Sequence, residues 1–178
     1  MSESFDSLIP EVLEIEDGEL RRKVEAVWKE AMGHRDWSPA DIREIPFTLL
    51  VDAVPVSFLE HVRTVCKLCI AAADILVESY GDRVRIHRDH LIAGALLADV
   101  GKLLEFEKKD GKIVKSRSGQ LLRHPFSGVG LSYRHDLPEE VMHIIAVHSK
   151  EGDHVKRTTE ALIFHHADFT DFDIFKYR

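Results

Sequence analysis

The stretch "LIAGALLADVGKL", Leu91 to Leu103, runs through eight residues without a polar side chain before Asp99. Such a run reads as a buried helix, and it is far too short to span a bilayer. A carboxylate at the end of a buried helix costs several kcal/mol if left bare (~2–7 for a polar group, more for a charge), so Asp99 needs a cation, a metal or a proton. Lys102, three residues on, shares roughly its helical face.

The flanking sequence is helical too. Residues 19–32 place Leu20, Val24, Val27, Trp28 and Ala31 on one face, and Gly33 stops that helix. Ser38-Pro39-Ala40-Asp41 starts a short helix, with proline at its first position. Ser57-Phe58-Leu59-Glu60 is a capping box opening a long helix that ends near Tyr80-Gly81. Asp89 is the expected cap of the helix carrying the quoted run to Gly101. Asp110-Gly111 marks a turn in a loop or small hairpin within 105–119, and helices follow near 121–133, 138–148 and 158–175, with Asp136 and Thr158 as caps. The expectation is an all-α bundle of five to six helices, residues 51–178, with residues 1–50 as an N-terminal helical extension.

A chain of 178 residues, 44% hydrophobic, is one domain or one domain with a terminal extension. Its net charge of −7 argues against general nucleic-acid binding and against binding an anionic membrane. The acidic start, MSESFDSLIPEVLEIEDGEL, lacks the basic region of a signal peptide, so the expected location is cytoplasmic. Cys66 and Cys69 form a CxxC inside a continuous helical stretch, with no second pair to complete a zinc site, and read as reduced core thiols. The lysines of 108–115 read as a solvated loop.

Five groups stand at helix ends or on apolar faces: His61, Asp99, His124, His148 and Asp168. Each has an ordinary explanation as a satisfied core or surface residue. Together they are the imidazole and carboxylate set of a metal site in a helical bundle, suited to Fe, Mn, Mg, Ni, Co or Zn. Arg123, beside His124, is a candidate anion contact.

The order His61, Asp99-Val100-Gly101-Lys102, His124, His148, Asp168 resembles the HD superfamily of metal-dependent phosphohydrolases, over residues 57 to about 175. The resemblance implies the HD-domain bundle and one or two divalent ions per chain. His61, the dyad and Asp168 would hold one ion; Asp99 would bridge to a second held by His124 and His148. It gives Lys102 a contact to substrate phosphate or to an anion at the metal. The family dyad is His-Asp, and here it is Ala98-Asp99. His165 shares the Asp168 face at i, i+3 and reads as a core or supporting histidine, or as a partial replacement for the missing ligand. Asp99 is thus balanced by metal, by Lys102 or by both.

The function expected from the resemblance is hydrolysis of a small phosphate ester or nucleotide, with a small phosphorylated metabolite as the partner and a homodimer compatible with the sequence. The alternatives are an HD-type iron oxygenase acting on an inositol- or phosphonate-like substrate, and a non-catalytic module binding a phosphate ligand.

Overall fold

Two capping boxes begin helices where the sequence places them. The Ser38 hydroxyl accepts from Asp41 N at the start of α3 (Pro39–Glu44), and the Ser57 hydroxyl from Glu60 N at the start of α4 (Phe58–Tyr80). In each box the acidic side chain returns a bond to the capping residue's own N–H, so two otherwise unpaired donors are satisfied together. Gly81, at φ 55°, ends α4. The computed structural model describes residues 4–51 and 54–177. The boundary expected at residues 50 and 51 lies beside residues 52–53, which fall outside the described residues.

Among the described residues the chain is all-α apart from one small hairpin. The short α1 (Phe5–Leu8) and a 3-10 turn at Pro10–Glu14 come first, neither signalled by periodicity. Then come α2 (Gly18–Gly33), α3, α4 and α5 (Arg88–Leu97). The one-turn α6 (Lys102–Glu105) leads into antiparallel β1 (Phe106–Lys109) and β2 (Lys112–Lys115), with Phe106 opposite Lys115. Asp110 and Gly111 both take positive φ, as a tight two-residue hairpin turn requires. The last helices are α7 (Arg117–Leu121), α8 (His124–Arg134), α9 (Glu139–Val147) and α10 (Thr159–Lys176).

Four local readings change. Asp89 does not cap α5; its carboxylate accepts the Glu16 and Asp17 N–H groups at 3.0 and 2.8 Å, while His87 Nδ1 takes the His90 N–H. That helix also ends at Leu97, and Asp99 lies in the tight turn before α6. The helix expected over 121–133 is α8 and begins only at His124, because Leu122 and Arg123 are extended and Pro125 fits only its first turn; α7 precedes it unannounced. Asp136 sits at positive φ in the turn before α9, whose cap position is Pro138. Thr158 caps α10 as expected.

Helix α5 is the axis of the core. Every residue from Leu91 to Leu97 is buried, and α2, α4, α9 and α10 pack around it. A Cβ on Gly94 would lie 2.5 Å from the Ile144 side chain, so glycine sets how closely α9 approaches. Residues between Leu8 and Ile45 share this core: Trp28 Nε1 donates to Leu96 O at 2.9 Å and Trp37 Nε1 to Leu103 O at 2.8 Å. Cys66 and Cys69 are free and buried in α4, and burial pushes the Cys66 thiol up to about 12. No helix among the described residues is long and apolar enough to cross a membrane.

Candidate metal centre

Asp99 leaves α5 where four other elements end or begin. His61 comes from the first turns of α4, Lys102 opens α6, His124 opens α8 and His148 follows α9. Asp168 and Asp171 lie one turn apart on α10. Gly101 makes the convergence possible: a Cβ there would fall 2.1 Å from His124 O, so only a bare α-carbon lets the start of α8 close on the Asp99 turn.

The two Asp99 oxygens face different partners. Oδ2 meets His61 Nε2 at 3.1 Å and Lys102 Nζ at 2.8 Å. Oδ1 meets His124 Nε2 at 3.2 Å and His148 Nε2 at 3.7 Å. His61 Nε2 also lies 3.1 Å from Asp168 Oδ1. Two groups of potential ligand atoms result, His61–Asp99–Asp168 and Asp99–His124–His148, each with its atoms within 4.8 Å of one another and both using Asp99.

The far side of each imidazole is tied down. His148 Nδ1 donates to Ile145 O at 2.8 Å, His124 Nδ1 to Glu105 Oε2 at 2.9 Å, and His61 Nδ1 to Asp171 Oδ2 at 2.7 Å. A backbone carbonyl can only accept, so the His148 proton sits on Nδ1, and the ionised carboxylates fix the other two rings the same way. Each ring therefore turns Nε2 inward. Carboxylate or carbonyl support of this kind is what holds a ligating histidine in place. His124 and His148 face each other Nε2 to Nε2 across 3.2 Å. With both rings neutral two lone pairs would meet there, a repulsive contact that a proton or a cation between them relieves. The donor set therefore fits a divalent ion.

The electrostatics agree. Burial pushes the Asp99 carboxyl up, but Lys102, the His61 hydrogen bond and the charges of His124 and His61 outweigh it and hold the group well below the usual range. Burial likewise opposes charge on His61, yet hydrogen bonds to Asp168, Asp171 and Asp99 raise it to about 10. Burial, and then the charge of His124, lower His148. Glu105 falls to about 2 because its bonds to His124 prevail over burial. The carboxylates of Asp99 and Glu105 thus meet the ammonium groups of Lys102 and of half-exposed Lys115, and those of Asp99, Asp168 and Asp171 meet the His61 ring.

Of the residues singled out in the sequence, His61, Asp99, Lys102, His124, His148 and Asp168 come together. Ala98, beside Asp99 in the turn that follows α5, is fully buried. His165 is in neither group; its Nδ1 bonds His148 O at 2.7 Å and its ring lies against Phe169. Arg123 pairs with Glu151 at 2.9 Å. The sequence reading missed Glu105, Asp171 and Phe47. Phe47 is buried, stacks on His61 with ring centroids 4.7 Å apart, and gives its carbonyl to Lys102 Nζ at 2.8 Å. Asp171 could have been found as a second acid one turn after Asp168; Phe47 and Glu105 carry no periodic signal.

Over 116 residues, 64% of its length, the chain is 37% identical to a Methanocaldococcus jannaschii protein named dihydroneopterin 2′,3′-cyclic phosphate phosphodiesterase. The matched region spans 45% of that relative, so the chain corresponds to under half of its length. No protein-family model matches the chain, and no solved structure does so significantly.

Proposed function

We propose that the chain is a metal-dependent phosphohydrolase of the HD type, acting on a phosphodiester of a small metabolite or nucleotide. The observation that carries this reading is the pair of buried His/Asp groups joined by Asp99, with the Lys102 ammonium against the same carboxylate. The name of the relative supports a small cyclic phosphate as the substrate class. In this reading residues 51–178 bear the site, and residues 1–50 brace it.

His61, Asp99 and Asp168 would hold one ion, and Asp99, His124 and His148 the other. With Ala98 in the dyad, the first position is short of a ligand and is the weaker. His165 acts as a prop, fixing the His148 backbone. A divalent ion in such a centre lowers the pKa of water and offsets charge on phosphoryl oxygens. Lys102 has three N–H donors and spends two on Asp99 and Phe47, leaving one for a phosphoryl oxygen as negative charge builds there. Water adds to phosphorus, the P–O bond to the alcohol breaks, and the alcohol departs with a proton.

The test uses protein purified without chelator, analysed for metal and assayed with nucleoside 2′,3′-cyclic phosphates. Asp99→Ala should remove the shared ligand and at least about a hundredfold of activity, with helical content retained by circular dichroism. Undiminished hydrolysis by that variant overturns the assignment.

A further inference from the structure

We propose that Glu151 is a specificity residue: its Oε2 receives a hydroxyl or ring N–H of a ligand whose phosphate lies at the metal centre, and Arg123 holds the carboxylate in position. The proposal rests on the reading above for where the phosphate sits, though not for whether it is cleaved.

The placement follows from the chain. Arg123 immediately precedes His124, and Glu151 comes three residues after His148, so the pair stands beside the two imidazoles that face Asp99 Oδ1. Glu151 belongs to a single 3-10 turn, Lys150–Gly152, held against the end of α9. A Cβ on Gly152 would lie 2.1 Å from Val147 O, and Arg157 donates to both Val147 O and Ser149 O, so the turn is closely docked.

Glu151 Oε1 accepts from Arg123 Nε at 2.9 Å. Its Oε2 is buried and has no hydrogen-bond partner among the described residues. A buried carboxylate oxygen with no donor is unfavourable, and a ligand donor that reached it on a small turn of the side chain would relieve that cost. Burial raises this carboxyl, but a bond from its own backbone and the Arg123 guanidinium, with the charge of His124, hold it below the usual range. Glu151 is therefore an anion at neutral pH. It can accept a hydrogen bond and cannot protonate a leaving group. Arg123 makes only the Nε contact among the described residues, which leaves its terminal N–H donors without a partner in that set. The pair offers an acceptor next to cationic donors. That arrangement suits a phosphate ester whose alcohol portion carries O–H or N–H groups, and it gives nothing to one without them.

The probes are guanosine 3′-phosphate, which carries hydroxyl and ring N–H donors, and methyl phosphate, which carries neither outside its phosphate. Binding to metal-loaded protein is measured by calorimetry, with metal content determined on the same samples. Glu151→Gln puts either an amide N–H against the ligand donor or an amide N–H against Arg123, so one contact is lost in both orientations. Affinity for guanosine 3′-phosphate should fall about tenfold, with metal content unchanged and methyl phosphate binding altered less than twofold. Equal losses for both ligands, or no loss for either, overturn the proposal. Should the variant not fold, the parent decides: it must bind guanosine 3′-phosphate at least about tenfold more tightly than methyl phosphate, and equal affinities or no binding overturn the proposal. Selective binding without turnover of guanosine 2′,3′-cyclic phosphate would instead sink the hydrolase reading and leave the role of Glu151 standing.

Discussion

At the scale of single residues, Ala98 and Glu105 carry two tests of the proposed centre. The buried methyl of Ala98 supplies no lone pair to the group of His61, Asp99 and Asp168. Ala98→His should raise bound metal from about one ion per chain toward two, read by elemental analysis after exhaustive dialysis; an unchanged stoichiometry counts against our account of the substitution. Glu105 holds His124 through both its ring and its backbone N–H. Glu105→Ala should weaken metal binding about 10–100-fold in chelator competition, with helicity preserved; an unaltered affinity would show that His124 orients itself. The candidate ligands were legible because an acid or imidazole in an apolar helix stands out. Glu105 was not, because it sits in the charged text "LLEFEKKDGK", where one more glutamate looks like surface.

At the scale of elements, the site depends on how closely helices approach. Gly101→Ala would place a methyl into His124 O and near Gly128 N. The start of α8 must then retreat, at a cost of about 1–3 kcal/mol, and His124 retreats with it. Urea denaturation and metal titration should both register the change; a variant unaffected in either measure refutes the packing argument. Helix starts were readable where a short polar side chain precedes an apolar run, as at Ser38, Ser57 and Thr158. Asp89 misled because the same carboxylate can bond any exposed N–H pair, and the chain entering α2 supplies one at Glu16 and Asp17. Nothing local to the sequence announces that partner, more than seventy residues away.

For the whole molecule, the buried charges fix how stability varies with pH. Glu105 is depressed to about 2 from an ordinary 4.5, so its contribution is complete above 4.5 and is lost as pH falls toward 2. His61 is raised from 6.5 to about 10, so its contribution is complete below 6.5 and is lost as pH rises toward 10. In metal-free protein these two groups therefore favour resistance to urea between about pH 4.5 and 6.5, and the lowered His148 subtracts from it as pH falls below 6.5. A metal bound as proposed would take the place of the His61 proton, so the loaded protein should lose less on the alkaline side. Identical pH profiles with and without metal would contradict this. The bond from Lys102 to the Phe47 carbonyl reaches further than stability. A fragment trimmed to the candidate ligands alone would carry every residue of the motif and still strand that ammonium without its oxygen. Transplanting this chemistry, by recombination or by design, therefore means moving the strap around Phe47 together with the motif, as one heritable unit.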